Sequence, residues 1–200
     1  MPELPFSAPC ERNKTVIFDK LEPYFKQCSS VLEIGSGSAQ HAVYFAGRQT
    51  TLEWQTSDRI EYIDGINAQC ANASLDNVRL PFVLDVNVAN WLPEPKQYSA
   101  IYTANTLHIM DWVSVSAFFK GLPSVSGSKT FLFIYGPFKY AGGFTSPSND
   151  EFDQLLRSRG EGSSIKDFEK IQDMANTVGF QLLKDIRMPA NNQLLIWQKK

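Results

Sequence analysis

The sequence predicts an α/β fold, a mostly parallel sheet with helices on both faces. Three observations lead there. Short apolar runs alternate with segments of helical periodicity along most of the chain. The run "SSVLEIGSG" passes through glycines into the helical "AQHAVYFA". The end, "QLLKDIRMPANNQLLIWQKK", reads as two strands joined by a turn at Pro189 to Asn192, which supplies an antiparallel strand at one edge.

The elements follow in order. "ERNKTVIFDKLEPYF" sets Val16, Ile17, Leu21, Tyr24 and Phe25 near helical spacing, with Pro23 late in the pattern. "SVLEIGSG" is a first strand ending in glycines, and "QHAVYFAGR" a helix that stops near Gly47. "LEWQTSD" alternates Leu52, Trp54 and Thr56 as a second strand ending at Asp58, and "EYIDGINAQCANAS" is helical despite Gly65. "VRLPFVLDV" is a third strand with Asp85 near its carboxyl end. "SAIYTANTLHIM" is a fourth, passing into a loop around Asn105. "VSVSAFFKGLPSV" is a helix and "KTFLFIYGP" a fully buried fifth strand. A loop rich in Gly, Ser and Pro, "GPFKYAGGFTSPSN", precedes two helical patterns, "DEFDQLLRSRG" and "SIKDFEKIQDMANTVGF".

With 200 residues, 43% hydrophobic and 12% aromatic, one domain spanning 1–200 has enough apolar content for a full core. The formal net charge is −2 and no Lys/Arg run occurs before the terminal Lys199 and Lys200, so a nucleic-acid partner is disfavoured. Cys10, Cys28 and Cys70 form no C-x-x-C pair and read as reduced thiols, with no metal site expected. "MPELPFSAPCERNK" has no apolar run, so no signal peptide is expected, and no stretch has the length to cross a bilayer. The expectation is a soluble cytoplasmic protein, with no statement about oligomeric state.

Ligands of parallel sheets bind beyond the carboxyl ends of the strands. That selects Gly35 to Gln40, Asp58, Asp85, Thr103 to His108, and Tyr135 to Asn149. Gly35 and Gly37 can serve the geometry of a tight turn alone, or let a ligand approach the main chain. A P-loop requires Gly-Lys-Ser/Thr after the glycines, and Gln40 and His41 stand there instead. A dinucleotide fingerprint requires Gly or Ala where "GSGSAQ" ends in Gln40. The third reading uses the acids Glu33, Asp58 and Asp85. These suit a ligand with an adenosine part and a cationic amino-acid tail, and repel a pyrophosphate.

The pattern resembles the S-adenosylmethionine-dependent methyltransferases, whose cofactor site begins with E/D-x-G-x-G. The resemblance implies that Glu33, Gly35 and Gly37 wrap the methionine part, that Asp58 holds the ribose diol, and that Asp85 and Val86 flank the adenine. Ala39 stands where the commonest form has a third glycine. Longer motifs appear in one order across the whole chain: "ERNK", "AQHAVYFA", "WQTSD", "LDV", "YGPFK", "FTSPSN", "FD" and "MPANN". Together they resemble the methyltransferase-like protein 26 family, long filed as a domain of unknown function. That resemblance implies a Rossmann-like, seven-stranded class I methyltransferase fold and S-adenosyl-L-methionine as cofactor. Two departures stand out: Pro9 before Cys10, at the start of the first helix, and "VSGSKTFLF", which lacks the usual Pro-Gly-Gly turn before the fifth strand.

Methyl transfer needs a positioned nucleophile and a base for its proton. His41, on the first turn after the glycines, is either a packing histidine or a cofactor contact. His108, after the fourth strand, is either packed or the catalytic group, and Tyr135 is the second catalytic candidate or a core aromatic. Arg12 and Asn13 either cap a helix or reach the cofactor carboxylate, and Asn105 joins the cofactor set. Lys139 and Asn149 lie in the loop where an acceptor enters, while Asn191 and Asn192 suit a turn. No N-P-P-Y motif for methylating nucleobase amines occurs at "ANTLHIM", which leaves a small-molecule or protein acceptor. The alternative is a non-catalytic cofactor-binding or scaffold protein on the same fold.

Overall fold

A computed structural model describes residues 4–160 and 162–200. Positions 1–3 of the opening stretch, read above for a leader, and position 161 lie outside the described residues.

Helix α1, Ala8–Phe25, begins earlier than the "ERNK" motif. Ser7 caps it by accepting from the Cys10 amide (3.4 Å), and Pro9 sits in the first turn, where its missing N–H is not needed. Arg12 and Asn13 therefore fall inside the helix, which corrects the expectation that they stand at its start. Ile17, Phe18, Leu21 and Phe25 form its buried face.

Strand β1, Ser30–Ile34, is buried at every position and runs into the glycine turn before α2, Gln40–Ala46. Strand β2, Glu53–Asp58, follows. The helical segment after it divides into a single tight turn, Ile60–Tyr62, and α3, Ile63–Ala73. Strands β3, Val78–Val83, and β4, Tyr98–Ala104, flank a long connection. Helix α4, Trp112–Val125, is capped by Asp111, which accepts from the Ser114 amide (2.7 Å).

Strand β5, Ser126–Gly136, starts directly at the end of α4, so the uncertain "VSGSKTFLF" connection is no loop at all. Its pairing with β4 slips beyond Ser126, where Lys129 adopts a left-handed φ of 67°. The segment read as a loop holds a small hairpin, β6, Phe138–Tyr140, and β7, Gly143–Phe144. Ala141 and Gly142 join them with φ of 48° and 76°, the paired positive angles of a two-residue hairpin turn. Helix α5, Pro147–Ser158, is followed by β8, Lys166–Asp167, which lies parallel to β6, and by α6, Phe168–Thr177. Strands β9, Phe180–Met188, and β10, Asn192–Lys199, close the chain.

The main sheet has seven strands in the order β3-β2-β1-β4-β5-β10-β9. β10 runs antiparallel to both β5 and β9, and the other pairings are parallel. One core cluster packs α1, α2 and α3 on one face around Phe25, Phe45, Trp54 and Phe133. The other packs α4 and α6 around Phe118, Leu132, Ile171 and Trp197. Burying both faces explains why the central strands β1, β4, β5 and β10 carry near-continuous apolar runs, while the edge strands β3 and β9 are largely exposed. The order reverses between β1 and β4, and the cleft for a ligand opens there. Because β10 is reversed, the β9–β10 turn lies at that same edge.

Candidate active site at the carboxyl edge of the sheet

The glycine turn is locked from within. The amides of Gly35 and Ser36 both donate to the Ser57 carbonyl (3.1 and 3.0 Å), and that of Ala39 donates to Ser36 (2.8 Å). The Gly37 amide donates to Asp58 Oδ2 (2.7 Å). Four of the turn's amides are thus satisfied inside the protein, and few donors remain for a phosphate.

Gly35 requires its hydrogen for two reasons. Its φ is +78°, and a Cβ would sit 3.0 Å from the Thr106 hydroxyl. Gly37, at φ +56°, differs, since a Cβ there would meet nothing within 4 Å. The space beside it is open, as a ligand pressed against the main chain needs. Ala39 takes a left-handed φ of 54°, an angle that glycine occupies at less cost.

Glu33 is 2% exposed beneath this turn. Its Oε2 accepts from the Ser36 hydroxyl (2.9 Å) and the Trp54 indole (3.0 Å). Burial pushes its carboxyl up to about 8 against those two donors, with the Asp58 charge adding to the rise. Asp58 is also raised by burial, opposed by the Gly37 and Arg59 amides. Its Oδ1 accepts from Arg59 (2.8 Å) and its Oδ2 from Gly37, so each oxygen keeps one further acceptor position.

His41 lies in a buried network. Its Nε2 pairs with Asn13 Oδ1 (2.7 Å) and its Nδ1 with the Tyr102 hydroxyl (3.3 Å), while the ring stacks on Phe45. Burial, with Lys14 adding to it, drives its pKa down to about 3, so the ring is neutral. This network joins α1, α2 and β4. The Tyr135 phenol is raised by burial and held down by the side chains of Asn13 and Asn192. Cys10 faces the turn as well; burial and then the Glu33 charge raise its thiol, and Ser7 and Ser38 oppose them.

The remaining expected residues disperse along the edge. Asp85 follows β3 and accepts from the Asn87 amide on Oδ1 (2.9 Å), next to buried Val86. Asn105 turns the chain after β4 at φ 58°, with its amide on the Tyr135 carbonyl (2.8 Å). His108 is buried against Phe152, its ring without a hydrogen-bond partner among the described residues. Burial, then Lys166 and Arg159, lower its pKa to about 4. Arg12 is exposed on α1. Lys139 lies over the Phe144 ring and 3.9 Å from Asp167. Asn149 donates to Thr145 (2.8 Å) and to the Asn191 carbonyl (3.0 Å), fastening α5 to the β9–β10 turn.

The structure therefore brings Glu33, Gly35, Gly37 and Asp58 together, and joins Asn13, His41 and Tyr135 through neighbours. Sequence reasoning missed Cys10 and Tyr102, and it selected Ser36 and Thr106 only as members of the stretches Gly35 to Gln40 and Thr103 to His108, without a role. It also missed a cavity of about 450 Å³ between the hairpin and β9–β10, lined among others by Asp185 and Arg187. Alternation along "KDIRM" was the available signal for those two charges.

The fold is that of the class I S-adenosylmethionine-dependent methyltransferases. It is similar to an O-methyltransferase family protein from Burkholderia thailandensis (TM-score 0.83, 15% identity, covering 96% of this chain and 57% of that one). It is similar also to an O-methyltransferase family 2 protein from Planctomyces limnophilus in complex with apigenin (0.73, 14%, 94% and 62%). Human N-acetylserotonin methyltransferase in complex with its cofactor matches at 0.77, with 9% identity and 95% and 52% coverage. The chain spans 52–62% of the length of those three proteins. The chain belongs to the family described as protein of unknown function DUF938, whose model matches residues 4–199. Among the described residues, no helix is long and apolar enough to cross a membrane, and no group of His, Cys, Asp or Glu could hold a metal ion.

Proposed function

We propose that this chain is an S-adenosylmethionine-dependent methyltransferase acting on a small-molecule or protein acceptor, as a single domain in the cytoplasm. The observation that carries the reading is the glycine turn, whose amides are consumed internally while the Asp58 and Glu33 carboxyls converge on it. Such a turn offers a pyrophosphate few donors and sets the Asp58 carboxylate against it, and it suits a nucleoside with a cationic tail. The similarity of fold to cofactor-bound methyltransferases supports it. The ordered motifs from "ERNK" to "MPANN" support kinship with the methyltransferase-like protein 26 family within the same proposal.

When bound, the cofactor supplies a methyl group whose bond to sulfur breaks, returning the electron pair to sulfur, as the bond to the acceptor forms. The chain's own residues bind and orient. Asp58 accepts both ribose hydroxyls through its two remaining acceptor positions. Gly37 allows close approach, and a cation beside Glu33 favours its ionised form. Asp85 and Val86 flank the adenine, and Arg12, with Asn105, reaches the cofactor's polar ends. Asn13 and His41 set the position of α1 over the cleft. His108, neutral at physiological pH, accepts the acceptor's proton, and the Tyr135 hydroxyl orients the acceptor. Lys139 and Asn149 fix the hairpin side of the acceptor site.

Calorimetric titration with S-adenosylhomocysteine and with NAD, separately, tests the reading. Heat with S-adenosylhomocysteine alone, and a melting temperature rising with its concentration, is expected. Heat with NAD alone overturns the cofactor assignment, and heat with neither leaves a scaffold.

A further inference from the structure

The cavity of about 450 Å³ at the far end of the sheet's carboxyl edge holds one acid and one base that are unequally engaged. Its walls are Tyr140 and Phe144 of the hairpin, Asp185 and Arg187 of β9, and Asn191 and Asn192 of the closing turn. Its size lies within the range of small-molecule sites. Tyr140 stacks on Phe168, with centroids 5.0 Å apart, so this wall is a fixed aromatic surface.

Asp185 is committed. Its Oδ2 accepts from the Tyr140 hydroxyl (2.8 Å). With the Gln193 amide turned so that its nitrogen faces acceptors, that nitrogen donates to Asp185 Oδ1 (3.2 Å) and to the Ile186 carbonyl (3.1 Å). Arg187 is two residues along the same strand face, exposed, and paired with no carboxylate or carbonyl among the described residues. The charged group of the cavity with its hydrogen-bonding capacity unspent is therefore a guanidinium, which forms paired hydrogen bonds with planar anions. The Asn192 side chain on this cavity's wall also holds down the Tyr135 phenol, which sets the cavity beside the carboxyl end of β5.

We propose that this cavity receives the methyl acceptor, that the acceptor is an aromatic carboxylate, and that Arg187 binds its anionic group against the Tyr140 and Phe144 rings. This rests on the methyltransferase reading. Asn149 and the β9–β10 turn hold the opposite rim.

The test titrates protein saturated with S-adenosylhomocysteine with 4-hydroxybenzoate, its neutral analogue 4-hydroxybenzamide, and inorganic phosphate. The acid is expected to bind about tenfold more tightly than the amide, the equivalent of roughly 1.4 kcal/mol. Arg187→Gln should erase that preference and leave S-adenosylhomocysteine affinity and melting temperature unchanged. Asp185→Asn should strengthen binding of the acid. Equal binding of acid and amide, no heat with either, or a preference that survives Arg187→Gln overturns the proposal. Phosphate binding as tightly as the acid, with the same dependence on Arg187, makes this a plain anion site and overturns the acceptor assignment. A failure of S-adenosylhomocysteine to bind sinks the methyltransferase reading separately, since the Arg187-dependent preference can be measured without it.

Discussion

The carboxyl edge of the sheet carries two differently built regions. Around β1 and β2, Glu33 and Asp58 are buried and the amides of Gly35, Ser36, Gly37 and Ala39 have fixed partners. Around the hairpin and β9, the charges lie on the surface and Arg187 has no partner among the described residues. Buried, fully partnered groups are preorganised, and they recognise one ligand at low reorganisation cost. Exposed groups on a short hairpin and an edge strand are free to differ, which suits the part of an enzyme that selects its acceptor.

The largest expected contrast is in pH dependence. Glu33 has a folded pKa of about 8 against 4.5 unfolded, so between those values the folded state binds the extra proton. Stability of the ligand-free protein should fall as pH rises from 4.5 to about 8, by at most roughly 1.4 kcal/mol per pH unit. His41 and His108 work in the opposite sense. Held near 3 and 4 against 6.5, they cost stability as pH falls below 6.5. Chemical denaturation across pH should give a maximum in the region where these trends meet. Glu33→Gln should flatten the loss on the alkaline side, and an unchanged slope in that variant would discard this account of Glu33. The same measurement on Arg187→Gln should match the wild type.

Next in size is Asp58→Ala, which removes a charged acceptor from the ribose hydroxyls and should weaken S-adenosylhomocysteine binding by roughly ten- to a hundredfold. It also frees the Gly37 and Arg59 amides, so Asp58→Asn, which keeps an acceptor oxygen, should retain more of both affinity and stability. Unchanged affinity with a lower melting point in Asp58→Ala would reduce Asp58 to a turn-holding residue.

On the other side of the comparison, Asn149→Ala breaks two hydrogen bonds of a buried amide and should destabilise by about 1–3 kcal/mol while sparing cofactor affinity. Loss of cofactor affinity in a folded Asn149→Ala protein would mean that the two regions are coupled. The smallest effect is expected from Ala39→Gly. It relieves a left-handed alanine, worth roughly 1 kcal/mol, against a comparable rise in unfolded-state entropy. The melting temperature should move by only a few degrees, and a drop of more than that would show that the Ala39 methyl is packed tightly enough to outweigh its backbone strain.

The fold was legible because both faces of the sheet are buried. Val31, Leu32 and Ile34, or Phe131 to Tyr135, read as core strand, and the glycines after the first and Gly136 and Pro137 after the second mark where each ends. The hairpin at Phe138 to Phe144 was not, since its strands are two and three residues long and its turn uses Ala141 where asparagine or aspartate would announce it. Of the candidate site, Glu33, Gly35, Gly37 and Asp58 could be read locally, because each stands at the end of a strand whose direction the pattern fixes.

What the chain by itself determined, then, is the alternation of strands and helices, the edge on which they end, and the acids and glycines gathered there. Tertiary structure alone decided which of these groups are committed to the protein. Asp58 and Gly37 are 21 positions apart, Asn13 and His41 28, and Tyr140 and Asp185 45, and no periodicity relates them. Their pairing follows from strand order and helix packing, and so does the burial that keeps Glu33 protonated. Arg187 is left without a partner among the described residues for the same reason, because the groups that donate to Asp185 come from other strands and Asp185 spends both its oxygens on them.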